Sequence, residues 1–321
     1  MDVVPLSIAS PPEHIAEWGR LDRLFWSDEL PGLEPPSLAE STLELTPSLA
    51  RRPVGLLAIE DGKAIGGYVG SETLLEDTDT AAGWLVVDRG SRRRGVATAL
   101  LAAAREAHVD NGRKRVESSI REGSAASALC AKAGAKVTQI ELCNVLDIAG
   151  LPAELDTWAK PAAGYELRTW TDTCPDDLVD AYAAAHSAMH DAPRGTAIRE
   201  EKAWTAERAR DEEARATQVG ITMVTTAAVT DDGEVAGYTD IAISGRPTTV
   251  IQEDTGVVRA HRGHGLGLTI KAANLQHVMA LVPDLRTVVT WNAATNQHML
   301  AVNERFGFRP HSRWEEIELD F

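Results

Sequence analysis

The sequence predicts an α/β protein made of two tandem copies of one fold, each a mixed, mostly antiparallel sheet flanked by helices. Three observations predict it. The 321 residues make enough chain for about two domains. Apolar residues are 44% of the total and charged residues 25%, which leaves core material for each half. The segment GWLVVDRGSRRRGVATALLAAAREAH (83–108) is echoed by EDTGVVRAHRGHGLGLTIKAANLQHV (253–278). Each reads as a short apolar strand, a loop rich in Arg and Gly, and an amphipathic helix. Laying Gly95 on Gly265, 170 residues later, puts Val87 on Val257, Arg92 on Arg262 and Ala97 on Gly267. An offset close to half the chain is what duplication produces.

The elements before each loop correspond as well. In the first half, Gly55 to Ile59 reads as a strand, Glu60-Asp61-Gly62 as a hairpin turn and Lys63 to Val69 as the returning strand. In the second half, Thr222 to Val229, Asp231-Asp232-Gly233 and Val235 to Ile243 repeat that unit. Both halves run helix-rich segment, β-hairpin, strand, Gly/Arg loop, helix, strand, helix. Ile148-Ala149-Gly150-Leu151-Pro152 and Lys160-Pro161-Ala162-Ala163-Gly164 bracket a linker. The expected division is therefore 1–150, a linker at 151–164, and 165–321, with Tyr165 to Trp170 opening the second domain as a strand.

Composition excludes several function classes. A net charge of −16 repels phosphate backbones and argues against nucleic-acid binding. It mildly favours an amine-bearing substrate, although an acidic surface also serves solubility. Three cysteines (Cys130, Cys143, Cys174) without CxxC spacing exclude a disulfide framework or zinc knuckle. No apolar run reaches the ~18 residues that span a bilayer, and no basic region, apolar core and cleavage site stand in order at the N-terminus. A cytoplasmic protein with no membrane partner, a monomer or homodimer, is the expectation.

A loop between a strand and a helix N-terminus is built for anions, because unpaired amides and the helix dipole both favour a phosphate there. Small residues let a pyrophosphate approach the backbone. Gly95 and Ala97 meet that need in the first loop, and Gly263, Gly265 and Gly267 in the second, while Arg92 and Arg262 add charge. Neither loop has the Gly-Lys-Ser/Thr of a Walker A site. Gly263-His264-Gly265-Leu266-Gly267 has the wrong spacing, and the wrong preceding elements, for a dinucleotide fingerprint.

Arg92-Arg93-Arg94-Gly95-Val96-Ala97 and Arg262-Gly263-His264-Gly265-Leu266-Gly267, each with a Val five residues upstream of its Arg, resemble the coenzyme A pyrophosphate loop of the GNAT superfamily of N-acyltransferases. A second segment, Thr290 to Phe308, resembles the family's last strand, with Asn292, then the helix-opening Asn296 and the closing Gly307-Phe308. Asn296 is also an N-cap and Gly307 a helix terminator in their own right.

The resemblance implies an acetyl-CoA (or other acyl-CoA) cofactor and direct attack of an acceptor amine on the thioester. It places the thioester carbonyl where two adjacent strands part. Val257 and Val258 supply that edge in the second domain, and Val87 with Asp88 in the first. A general base is useful because the amine must be neutral. Glu253, four residues before Val257 and on the same strand face if the strand is regular, is the first candidate, and Asp254 the second. Relatives carry a general-acid Tyr where this chain has Asn303, and an amide cannot transfer a proton at neutral pH. In the first half the matching residue is Cys130, Gly123 replaces the helix-opening Asn, and Ala81 to Trp84 offer no carboxylate.

His186 and His190 are spaced i, i+4 but lack the Glu of a metalloprotease helix and a third ligand, so no metal is expected. With Asp191 they are candidates to line the acceptor pocket, because that helix corresponds to the family's acceptor region. The charged stretch Arg199 to Arg215 reads as a solvated helix, or alternatively as a lid. Trp158, Trp170, Trp204 and Trp314 read as core or interface residues.

The leading expectation is an acetyl-CoA-dependent N-acetyltransferase acting on a small-molecule amine through its C-terminal domain, with the first domain binding coenzyme. The alternatives are an acyl-CoA-binding protein without turnover and a protein or peptide N-acetyltransferase.

Overall fold

The computed structural model describes residues 1–188, 195–196 and 200–321. The chain forms two compact units, Met1–Ile140 with 196–200 and 313–321, and Glu141–Gly195 with 201–312.

The first unit runs β1 (Asp2–Leu6), α1 (Pro12–Glu29), α2 (Leu38–Leu43), β2 (Arg51–Glu60), β3 (Lys63–Thr73), β4 (Thr80–Val87), α3 (Val96–Asp110), β5 (Arg115–Arg121) and α4 (Ala125–Lys132). Antiparallel pairing joins β1 to β2, β2 to β3 and β3 to β4, and β4 then runs parallel to β5. Proline at its start fixes the first turn of α1. This helix lays Trp18 and Leu21 on Leu57, Val69 and Val86. On the other face α3 presents Val96, Leu100 and Ala104, four residues apart, to Ala58, Ile65 and Tyr68.

The second unit repeats the plan. It contains α5 (Leu155–Trp158), β7 (Tyr165–Thr171), α6 (Val179–Ser187), α7 (Ala206–Gln218), β8 (Thr222–Thr230), β9 (Val235–Ile243), β10 (Thr249–Val257), α8 (Leu266–Leu281), β11 (Thr287–Ala293) and α9 (Gln297–Phe306). Strands β7, β8, β9 and β10 pair antiparallel in that order, and β10 is parallel to β11. Helices α6 and α7 cover one face around Tyr182 and Tyr238, and α8 covers the other with Leu266 and Ile270.

The units depart from the sequence division at two strands. The end of β6 (Lys136–Asp147), from the first half of the sequence, pairs with β11 in the second unit. Residues 314–320 of β12 (Arg309–Asp320), from the far end of the chain, pair with β5 in the first. Each unit thus completes its sheet with a strand from the other half. The stretch expected as a linker is packed structure, for α5 lies in it with Leu155 buried and Trp158 against Phe306 at 6.0 Å. The helix expected across 199–215 starts only at Ala206, where Thr205 caps it by accepting from Arg208 N–H. No helix among the described residues is long and apolar enough to cross a membrane.

Candidate active site in two unequal copies

The two anion loops share one conformation. Gly263 (φ +87°) and Gly265 (φ +75°) are left-handed in the second unit, and Arg93 (φ +65°) and Gly95 (φ +86°) match them in the first. These turns leave Arg92 to Gly95 and Arg262 to Gly265 exposed just ahead of α3 and α8. The first amides of each helix have no intrahelical partner. Arg92 Nε donates to Val87 O at 3.1 Å and Arg262 Nε to Val257 O at 3.0 Å, so each arginine braces its strand end alike. Val96 and Leu266 turn into the core as anchors. Ala97 and Gly267 follow, and a methyl at Gly267 would reach only Val257, at 3.8 Å, so that position leaves open space above the strand. His264 Nδ1 lies 3.1 Å from His261 O, which holds the crown of the second loop.

The loops differ in charge. In the first unit Arg89 and Arg92 both pair with Asp28, whose carboxyl the two guanidiniums hold low despite burial, and Arg94 pairs with Glu60 at 2.9 Å. These guanidiniums of the first loop are thus already held by carboxylates.

Both units open a cleft where parallel strands part. Strands β10 and β11 pair only from Thr249–Thr287 to Ile251–Val289, and β4 and β5 only from Thr80–Arg115 to Ala82–Glu117. Beyond that point Thr290 Oγ1 donates to Gln252 O at 3.0 Å. Val258 N–H donates to Ala236 O and Asp88 N–H to Ile65 O, both at 2.9 Å, so these two amides are engaged within the sheet. Strand alternation turns the amides of Val257 and Thr255 toward the open edge instead. Thr255 was legible by counting two residues back from Val257.

The second unit alone carries a bulge on this edge. The β9–β10 register shifts between Gln252 and Thr255, so Glu253 and Asp254 together face Asp240. The regular strand assumed for placing Glu253 beside Val257 therefore does not hold. Glu253 and Asp254 are both exposed. Asp254 is crowded by protein nonetheless, which raises its carboxyl above the ordinary range, with Lys202 opposing the rise. Asp240 is buried and pushed up to about 8, by burial first and then by the charges of Asp254 and Glu253. It accepts from Thr225 Oγ1 at 2.6 Å and Tyr182 Oη at 3.2 Å.

Aromatic rings close this face. His186 stacks between Trp204 (4.3 Å) and Tyr238 (4.0 Å), with Tyr182 edge-on at 4.6 Å. Its Nδ1 meets Tyr238 Oη at 2.9 Å, while its buried Nε2 has no partner among the described residues. Burial pushes the imidazole down to about 3, so it is neutral. Buried Asp240 and this neutral aromatic cluster thus lie together behind the bulge, joined through Tyr182. His190 and Asp191, also expected here, lie outside the described residues. Asp240 was not singled out from the sequence, because nothing local marks which strand residue a bulge will oppose, and Trp204 was read only as a core or interface residue.

The first unit carries no such bulge. Its β3–β4 register is regular, and Trp84 stands opposite Val69 where the second unit has its bulge. Trp84 packs on Trp18 (5.0 Å) and Phe25 (4.5 Å), and Phe25 on Trp314 (6.4 Å). Aromatic side chains thus stand on this strand face where the second unit has Glu253 and Asp254.

Asn303 is buried within an amide ladder, donating from Nδ2 to Asn292 Oδ1 at 2.7 Å, where Asn144 Nδ2 also lies at 3.4 Å. Its own Oδ1 is buried without a partner. Asn296 caps α9 by accepting from Met299 N–H at 3.2 Å, and Gly307 (φ +107°) ends it. The three cysteines are free thiols.

A parted pair of parallel strands beside a glycine loop at a helix start, repeated once in each unit, defines a tandem GNAT-like fold. Residues 18–135 match the acetyltransferase (GNAT) family. Over its full length the chain is similar to a tandem GNAT protein from the clavulanic acid biosynthesis pathway, with 28% identity, a TM-score of 0.82 and coverage of 99% of this chain and 98% of that one. It is also similar to a GCN5-related N-acetyltransferase from Sphaerobacter thermophilus, at 18% identity and a TM-score of 0.67, covering 99% and 95%. No curated protein matches the sequence. The family match thus lies in the first unit, and the likeness to the tandem GNAT protein extends over both.

Proposed function

We propose that the chain is an acetyl-CoA-dependent N-acetyltransferase for a small amine-bearing metabolite, with chemistry in the second unit and coenzyme binding in both. The bulge of β10 carries this reading, because it brings Asp254 to the parted edge with a raised carboxyl and Asp240 behind it. The coenzyme, when bound, supplies the acyl thioester. The loop from Arg262 to Gly267 would hold its pyrophosphate, and the Val257 and Thr255 amides would lie along its chain. Asp254 takes the proton of the acceptor amine, directly or through water, so that the lone pair is free to attack. The Trp84 cluster leaves the first unit no acceptor space, so its loop binds without transfer. The clavulanic-pathway relative lends support to a small-molecule acceptor.

Thiol release from acetyl-CoA across an amine library tests the reading, with wild type beside Asp254→Asn. Tight coenzyme binding with no turnover on any amine would sink it. Calorimetry should give two coenzyme equivalents, reduced to one by Arg92→Glu with Gly95→Glu. A wild-type value of one would refute binding in the first unit.

A further inference from the structure

Lys271 is only 2% exposed, and its ammonium lies over the Phe308 ring at 5.3 Å with no hydrogen bond or salt bridge among the described residues. Burying an amine without a partner is costly, and a folding role alone would favour an apolar side chain. Its place on α8 is informative. Gly267 stands over Val257, and Lys271 follows one helical turn later on the same face. Because α8 doubles back along β10, a turn of ~6 Å matches about two strand residues, which brings Lys271 level with Thr255. That is where β10 and β11 have already parted. On the α9 side of the gap, Phe308 N–H donates to Asn303 O at 2.9 Å, and Asn303 Oδ1 is buried and unpartnered. A donor and an acceptor, both unsatisfied, flank the level of the parted strands.

We propose that Lys271 is the proton donor to the sulfur of the departing coenzyme, a role Asn303 cannot fill. The inference rests on the acetyltransferase reading. In the step, a bond forms between the amine nitrogen and the carbonyl carbon, and the carbon–sulfur bond breaks. Its electron pair goes to sulfur, the Lys271 ammonium gives that sulfur a proton, and Asp254 takes the proton lost by the amine. Both groups then exchange protons with solvent. Burial lowers Lys271 to about 7, so its ammonium gives up a proton readily near neutral pH. Titratable groups on the packed elements face elsewhere. Asp240 and Asp254 lie toward α6, Asp156 of α5 is bound by Gln276, and Arg305 of α9 lies over Trp158.

Difference ultraviolet titration of the thiol of bound coenzyme A tests the contact without turnover. In wild type the thiolate should form at a pH about one unit or more lower than in Lys271→Met, at equal coenzyme affinity and with a variant thermal midpoint no lower than that of wild type. Equal titrations in the two proteins overturn the proposal. Lys271→Arg keeps the charge if the Met variant fails to fold. It should preserve the thiolate shift yet lower kcat by about 100-fold and abolish the fall of wild-type kcat above neutral pH. An Arg variant with wild-type kcat and pH profile also overturns it. Wild type that shifts the thiolate but acetylates no amine would instead refute the proposed function while supporting Lys271 beside the sulfur.

Discussion

Single residues separate the two copies more sharply than their loops do. Arg93 and Gly263 share a left-handed conformation that costs a non-glycine residue about 1 kcal/mol, so the first loop keeps its shape under strain. Trp84 and Asp254 occupy matching strand positions with opposite consequences, one adding an aromatic ring to a packed cluster and one adding a charge at the bulge. Asp254 must be ionised to accept a proton, and the protein crowded around it raises its carboxyl. Activity should therefore rise with pH through a value above the ordinary carboxylate range near 4. Asp254→Asn should lower kcat by about 100-fold or more and flatten that acid limb, whereas Glu253→Gln should leave the limb in place. A kcat–pH profile for each variant decides between them, and the reverse pattern would return the role to Glu253.

At the scale of elements, the face formed by β9, β10 and α6 combines two buried groups with opposed pH demands. Asp240 is raised to about 8 from about 3.9 unfolded. The stability it carries is complete below about pH 4 and is lost as pH climbs toward 8. His186 is lowered to about 3 from about 6.5 unfolded, so its contribution is complete above that value and lost as pH falls. The two oppose each other between about pH 4 and 6.5, and above that range only the Asp240 loss continues. Asp240→Asn keeps an oxygen for Thr225 and Tyr182 and removes the titration. The variant should be more stable than wild type at alkaline pH, by ~1–3 kcal/mol, and should lose that advantage in acid. Urea denaturation at pH 5 and pH 9 reads this, and a variant no more stable at pH 9 would contradict it. Elements of this face also mark what the sequence discloses. The hairpins and anion loops were legible because local signals encode them: Asp-Gly turns, strand alternation and glycines at positive φ. The bulge was not, because it depends on which β9 residue opposes Glu253 and Asp254, and no local pattern reports that. Lys271 was hidden likewise, since a lysine among apolar helix residues reads as the edge of a solvated face.

At the scale of the whole chain, the exchanged strands make each unit depend on residues far away in sequence. Local reading could not see this, because β6 and β12 carry ordinary strand patterns and only their partners reveal the exchange. The consequence is testable at the C-terminus. Residues 314–320 pair with β5 along its whole length, Trp314 and Ile317 are buried there, and Phe321 stacks on His108 at 5.9 Å. His108 in turn holds Tyr68 Oη at 2.9 Å and Glu72 at 2.8 Å beneath α3, the helix that carries the first anion loop. Removing 313–321 exposes those side chains, each worth about 1.5–3 kcal/mol in burial, and leaves an edge of β5 unpaired. The sum is comparable to the ~5–15 kcal/mol by which a domain is stable. Deletion of 313–321 should therefore unfold the first unit while α8 and β10, which draw no pairing from those residues, stay folded. Hydrogen exchange should accelerate in β5 and α3 but not in α8, and coenzyme stoichiometry should fall from two to one with acetyl transfer retained. Unchanged protection of β5 after the deletion would show that the exchanged strand is not what holds the first unit together.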